Sequence, residues 1–218
     1  MNVHVCEKTP WLDCLMTTLR NTNTGRGPFR KAANLIGEYL VIQAINCGYI
    51  PAKKWSVETP TGSVVDGCSI NKPSRILAVP IVRAGTVFIE SLLRVVSMDI
   101  QVGHLVIQRD EKTALPITLL EKLPKGTSSG EFDLVIVLDP MLATGGSVLA
   151  AIDILLAKGV DVEKIVVLHA IGCPEGIKAL TDRHPNIKAV VGVVDTHLNE
   201  ESKHIIPGLG DFGDRYFS

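Results

Sequence analysis

The 218-residue chain is 46% hydrophobic and 21% charged, the balance of one globular domain, and its net charge of −1 supplies no general basic field for nucleic acid. Five scattered cysteines (Cys6, Cys14, Cys47, Cys68, Cys173) form no Cys-x-x-Cys pair, which argues against a disulfide framework or zinc site and for reduced thiols in the cytoplasm. No apolar run is long enough for a membrane span, and the N-terminus lacks a signal peptide's apolar core.

Trp11 to Arg20 reads as a short amphipathic helix with Leu12, Leu15, Met16 and Leu19 on one side. Asn21 to Pro28 is loop chemistry, and a longer helix follows over Phe29 to Cys47, with Phe29, Ala33, Ile36, Leu40 and Ala44 at helical spacing. Gly48 ends it. Arg20, Arg26, Arg30 and Lys31 cluster around that loop, and a solvated face is the better reading than an anion site. Trp55 to Thr59 and Ser63 to Ile70 flank Pro60-Thr61-Gly62 as a hairpin.

Ile76 to Val82 is an apolar strand leading into Arg83-Ala84-Gly85 and a helical run, Thr86 to Val96. An arginine at the carboxyl end of such a strand is placed for ligands, although a plain surface arginine fits equally. His104 to Gln108 is a further strand that runs into Arg109-Asp110-Glu111, and Leu115 to Leu123 makes it a hairpin arm, residues 104–130. Arg109 and Lys122 are its candidates for closing on a diphosphate, against the alternative of an ordinary solvated loop.

Leu134 to Leu138 is an unbroken β-branched run, the pattern of a strand buried on both faces. Asp139 falls where the strand ends, and Pro140 cannot continue its ladder. Met141-Leu142-Ala143-Thr144-Gly145-Gly146-Ser147 leads into a helical pattern over Val148 to Leu156. The first N–H groups of a helix lack internal partners and sit at its positive dipole end. Gly145 and Gly146 let the backbone approach an anion, Thr144 and Ser147 add hydroxyl donors, and Asp139 is expected to face sugar hydroxyls or a metal; the plain alternative is an ordinary strand-to-helix turn with Ser or Thr capping. The string is neither a P-loop nor a dinucleotide fingerprint.

After Gly159, strand Ile165 to Ile171, helix Pro174 to Asp182 and strand Ile187 to Val194 complete an alternating order. It predicts an α/β domain: a Rossmann-like open, mostly parallel sheet with flanking helices. In the tail, Ile205 to Arg215, three glycines and a proline exclude a helix. The segment is nonetheless too apolar for a solvated end, and its exposed amides suit a flat ring with alternating donors and acceptors; the plain alternative is a C-terminal strap packed on the core.

Asp139 to Ser147 resembles the phosphoribosyl-diphosphate loop of phosphoribosyltransferases, with Pro140 where many members carry a second acid. Together with Pro80 to Gly85, Arg109-Asp110-Glu111 and Ile206 to Arg215 in the same order, the chain resembles the uracil phosphoribosyltransferase family. The resemblance implies the type I phosphoribosyltransferase fold in one domain, 1–218, with an N-terminal helix and loop (1–28) and a uracil-binding hood (195–218). It implies transfer of ribose 5-phosphate from 5-phosphoribosyl 1-diphosphate to uracil with Mg²⁺. The metal would be held mainly through the substrate diphosphate, with Asp211 as the candidate protein contact. By the same resemblance, Ala143 to Ser147 hold the 5′-phosphate, Asp139 the ribose hydroxyls, and Arg83 and Arg109 the diphosphate. Asp139, Arg109 and Asp211 are then the catalytic candidates, and Ile205, Gly210, Asp211 and Phe212 read uracil through main-chain atoms. Here His204 stands where the family usually has Tyr, and the stretch before it is one residue longer. A homodimer or homotetramer is implied, as is a GTP activator for parts of the family, for which the loop from Arg20 to Lys31 is the candidate. A nucleotide-sensing regulator of the same fold, and a purine or orotate transferase, are the competing readings.

Overall fold

Unbroken apolar strands turn successive side chains to opposite faces, so both faces have to be covered. The computed structural model, which describes residues 2–70, 75–96, 99–109 and 116–218, has that arrangement. The first half contains β1 (Val3–Val5), α1 (Pro10–Arg20), α2 (Arg26–Asn46), β2 (Lys53–Glu58), β3 (Val64–Ser69), β4 (Ile76–Val82), α3 (Val87–Val95), β5 (Ile100–Val102), β6 (His104–Arg109) and β7 (Pro116–Lys122). The second contains β8 (Leu134–Leu138), β9 (Met141–Leu142), α4 (Gly146–Ala157), β10 (Ile165–Gly172), α5 (Pro174–Arg183), β11 (Lys188–Val194), β12 (His197–Leu198), β13 (Ile205–Ile206) and α6 (Phe212–Phe217).

The main sheet runs β1-β11-β10-β8-β4-β6-β7, with β5 also beside β4 and β9 beside β10. Its pairs are parallel except β6 with β7. Ile76, Ala78, Leu134, Ile136, Val166 and Leu168 share one core with α1, α2 and α3. The alternate residues Leu77, Val79, Val135, Val137, Ile165 and Val167 share the other with α4 and α5. Burying each such side chain contributes about 1.5–3 kcal/mol, which fixes the strand registers.

Strands β4 and β8 are neighbours, in register from Ile76 with Leu134 to Pro80 with Leu138. The chain leaves β4 through α3 toward β5 and β6 on one side, and leaves β8 through α4 toward β10 on the other. Loops that part in this way open a crevice at the carboxyl edge, where open α/β sheets bind ligands. Arg83 and Asp139 begin those two loops.

Four sequence expectations need correcting. Helix α2 starts at Arg26 rather than Phe29, because Pro28 is accommodated in the first turn, where a missing N–H does no harm. The three-residue strands β1 and β5 were not anticipated, being too short for any periodicity. Lys122 lies opposite His104 at the base of the arm, not beside Arg109, so it is about 16 Å along the strand from that residue. The tail does form a helix, α6: Asp211 caps it by accepting from the Asp214 N–H at 2.7 Å, and the glycines at positive φ, Gly208 and Gly210, precede it. The arm's tip, with Asp110 and Glu111, lies outside the described residues. Among the described residues no helix is long and apolar enough to cross a membrane.

Candidate active site

The loop after β8 is held from behind by β10 and the start of α5. The Asp139 N–H donates to Leu168 O at 3.2 Å, and His169 Nδ1 stands 2.6 Å from Asp139 O. Pro140 O accepts from the Ala170 and Ile171 amides at 2.9 and 3.1 Å. Leu142 O accepts from Cys173 N at 3.2 Å, and Ala143 O from the Cys173 thiol at 3.1 Å. Gly145, at φ +81°, caps α4, and its carbonyl accepts from Leu149 N at 2.9 Å. The carbonyls of Asp139, Pro140, Leu142, Ala143 and Gly145 are thus all engaged by the scaffold. Carbonyls engaged this way leave the helix entrance, with the Thr144 and Ser147 hydroxyls, as an electropositive cradle. Burial pushes the Cys173 thiol up, keeping it a neutral donor, and takes His169 down to about 4 despite the opposing pull of the Asp139 carbonyl.

Close approach explains two glycines here. A Cβ on Gly85 would lie 2.1 Å from Leu138 O, so the turn after Arg83 packs directly on the end of β8. A Cβ on Gly176 would lie 2.4 Å from Ala143 O. The arm also reaches this place: a Cβ on Gly146 would meet Pro116 Cδ at 3.7 Å, and Pro116 is the register partner of Arg109. The Arg109 backbone therefore sits beside the helix entrance; its side chain is outside the described residues.

The hood closes the other side. Strands β12 and β13 pair antiparallel, Leu198 with Ile205, and the Glu175 carboxylate, its pKa lowered first by that bond, accepts the Leu198 N–H at 3.0 Å. The Phe212 ring is buried against Phe29 (centroids 5.5 Å apart) and Phe88 (6.1 Å) and stacks on Tyr216. What Phe212 offers a ligand is therefore main chain. A cavity of about 220 Å³ is lined by Arg83, Ala84, Met141, Asp211, Phe212 and Gly213, so the arginine turn, the loop after β8 and the hood converge on one space. Arg83 pairs there with Asp214 of α6. Another cavity, about 640 Å³ between β1, α1 and β11, is lined in part by Arg20 and by Pro207 of the hood, and by none of the residues assigned above to phosphoribosyl diphosphate or to uracil.

A sequence model of the family described as "Uracil phosphoribosyltransferase" matches residues 5–218. The chain belongs to the uracil phosphoribosyltransferase family. It is 44% identical over 216 residues to the uracil phosphoribosyltransferase of Dictyostelium discoideum, covering 99% of this chain and 96% of that one. It is 41% identical to that of Saccharomyces cerevisiae, with the same coverage. The solved AQ2163 protein of Aquifex aeolicus superposes with a TM-score of 0.82 at 33% identity, over 99% of this chain and 97% of that one. The fold is thus that of the type I phosphoribosyltransferases.

Several residues of this family member's site went unnoticed in the sequence. His169 is a lone polar residue in a buried apolar strand, and that misfit was its one signal. Cys173 gives no signal, being an ordinary small residue ahead of a helix. The basic cluster is not a solvated face throughout: Arg20 bonds Asp195 and Gly208, and Arg30 donates to Tyr216 O at 2.8 Å.

Proposed function

We propose that this enzyme, which makes UMP and diphosphate from uracil and 5-phosphoribosyl 1-diphosphate, works in the crevice between the loop after β8 and the hood. The convergence of Arg83, Met141 and Asp211 to Gly213 on one cavity carries this reading. The helix entrance from Ala143 to Ser147 receives the 5′-phosphate, and Asp139 receives the ribose hydroxyls. Gly210 to Phe212 and Ile205 present main-chain groups to the uracil edge.

As diphosphate departs, positive charge develops on the ribose ring and negative charge on the leaving oxygens. Arg83 and Arg109 meet the latter, and fixed donors of this kind are each worth about 3–4 kcal/mol of barrier. Holding uracil N1 against C1′ converts an encounter into an intramolecular approach, worth up to about 7–11 kcal/mol. No covalent enzyme intermediate is needed.

Among the described residues no group of three or more His, Cys, Asp or Glu is placed to hold a metal. The Asp211 carboxylate at the cavity wall is an oxygen donor of the kind Mg²⁺ prefers and would be its protein contact, with diphosphate oxygens and waters as the remaining ligands. When bound, the ion neutralises charge on the leaving diphosphate. All five cysteines are free thiols, which supports a reducing, cytoplasmic setting. The β2–β3 hairpin exposes Trp55, Val57, Val64 and Val65, which supports assembly as a homodimer or homotetramer. In the basic loop that is the candidate for a GTP activator, Arg20 and Arg30 are engaged by Gly208 and Tyr216, which argues against a GTP site there.

Purified protein given 5-phosphoribosyl 1-diphosphate, Mg²⁺ and labelled uracil is expected to form UMP, and to leave purine bases and orotate unused. Asp139→Ala should fold normally and lose about 10²–10³ in kcat. Near-wild-type turnover by that variant would remove Asp139 from its role.

A further inference from the structure

Arg20, the last residue of α1, reaches across the molecule to the hood. Its Nη1 donates to Asp195 Oδ2 at 2.7 Å and to Gly208 O at 2.8 Å, while Nη2 donates to Asp195 Oδ1 at 2.6 Å. Asp195 Oδ2 in turn accepts the Gly208 N–H at 2.7 Å. One ion pair, with the Asp195 side chain 5% exposed, therefore fixes both main-chain groups of a single residue. Gly208 is at φ +63°, and a Cβ there would lie 2.1 Å from Ile205 O, so the chain doubles back tightly at this point.

The next carbonyl is held as well. Arg215 donates to Leu209 O at 2.7 Å and, from the same guanidinium, to Leu19 O and to Asn21 O. Two successive hood carbonyls are thus drawn toward the C-terminal end of α1, where helix carbonyls lack internal partners. A peptide group is planar, so fixing the carbonyls of residues 208 and 209 sets which way the following amides face. Neither Arg20 nor Asp195 lines the cavity between Arg83 and Gly213.

We propose that Arg20 and Asp195 are positioning residues for base recognition: the pair orients the main chain from Ile205 to Phe212 so that it fits uracil, without touching the substrate. This rests on the reading that the hood receives the base. A bidentate, charge-assisted pair suits the task, because lysine in place of arginine keeps the charge but loses the fork.

The test compares Arg20→Lys, Arg20→Met and Asp195→Asn with wild type, measuring KM for each substrate, kcat and melting temperature. Amide hydrogen exchange over residues 205–212, with and without uracil, is followed in parallel. Folded Arg20→Met and Asp195→Asn should raise KM for uracil on the order of ten-fold or more, as expected for a lost charge-assisted hydrogen bond, with KM for 5-phosphoribosyl 1-diphosphate changing much less. Arg20→Lys should fall between and remains informative if the others do not fold. Unchanged KM for uracil, or an equal rise for both substrates, would overturn the proposal. If uracil fails to slow exchange at 205–212 in wild type, the base-site reading itself is wrong. If it slows exchange there but the variants bind uracil normally, only the positioning role is lost.

Discussion

His169 Nδ1 stands 2.6 Å from the main-chain oxygen of Asp139, and a carbonyl only accepts, so the ring carries its proton on Nδ1. Among the described residues the other ring nitrogen, which is buried, has no partner, so a second proton there would be an unsatisfied buried charge. The same interaction ties the strand beneath the site to the residue proposed to bind ribose.

That relationship sets a pH dependence. The folded-state pKa of His169 is lowered to about 4 from an ordinary 6.5, so the unfolded chain binds the extra proton first as pH falls. Stability from the neutral ring is complete above pH 6.5 and is lost as pH drops toward 4. At about 1.4 kcal/mol per pH unit this group accounts for roughly 3 kcal/mol across the window. Urea unfolding at pH 7 and pH 5 should show the loss, and His169→Gln should lose less between the two. An equal loss in both proteins would mean that His169 does not titrate on unfolding.

Gly176 of α5 supports the loop after β8 by being small. A Cβ there would lie 2.4 Å from Ala143 O and 2.7 Å from Leu142 O, both backbone atoms that cannot swing aside. Gly176→Ala should therefore push the helix entrance out of place, costing about 1–3 kcal/mol despite alanine's better helix propensity, and should raise KM for 5-phosphoribosyl 1-diphosphate. Gly27→Ala is the matched control: the site is helical, an added Cβ would meet nothing within 4 Å beyond its own helix among the described residues, and stability should hold or rise by about 0.5–1 kcal/mol. If the two variants behave alike in urea and in kinetics, the packing argument fails.

The contrast between these residues shows what the sequence could convey. The strand, turn and helix from Leu134 to Ala157 were legible because burial on both faces demands an apolar run and a helix entrance near an anion demands small residues. Those demands act on neighbours in the chain. Arg20 and Asp195 are 175 residues apart, and an arginine in a helix's last turn looks the same whether it meets water or a buried carboxylate. The tail was misjudged for a related reason. Its glycines were weighed against the whole segment, whereas only Gly213 lies inside the helix, and Asp211 starts that helix locally.

Phe212 should be the anchor of the hood. Its ring is 1% exposed between Phe29 and Phe88, so Phe212→Ala removes a packed aromatic; such changes cost about 3–5 kcal/mol in a core. Because α6 is only six residues long and is anchored through this ring, part of that loss should show as local opening of residues 205–218. The expected signature is a raised KM for uracil at temperatures where far-UV circular dichroism is still native. Phe212→Leu should show a weaker form of both effects. A variant that melts early yet binds uracil normally would separate the ring from the base site.

Asp214 occupies the guanidinium that is proposed to meet the diphosphate, Arg83, and is thus its proposed competitor. The two side chains form an ion pair while 53% and 64% exposed, and the guanidinium also lies over the Phe217 ring, 5.7 Å from its centroid. A pair this wet contributes only about 0.2–1 kcal/mol, so Asp214→Asn should leave the urea midpoint nearly unchanged. Freed from that partner, Arg83 should meet the diphosphate more readily, and affinity for 5-phosphoribosyl 1-diphosphate should tighten by roughly 1.5- to 5-fold, the same small free energy expressed as binding. The gain should shrink at high salt, where the exposed pair is already screened. Weaker binding by Asp214→Asn would show instead that the carboxylate holds Arg83 in its working position.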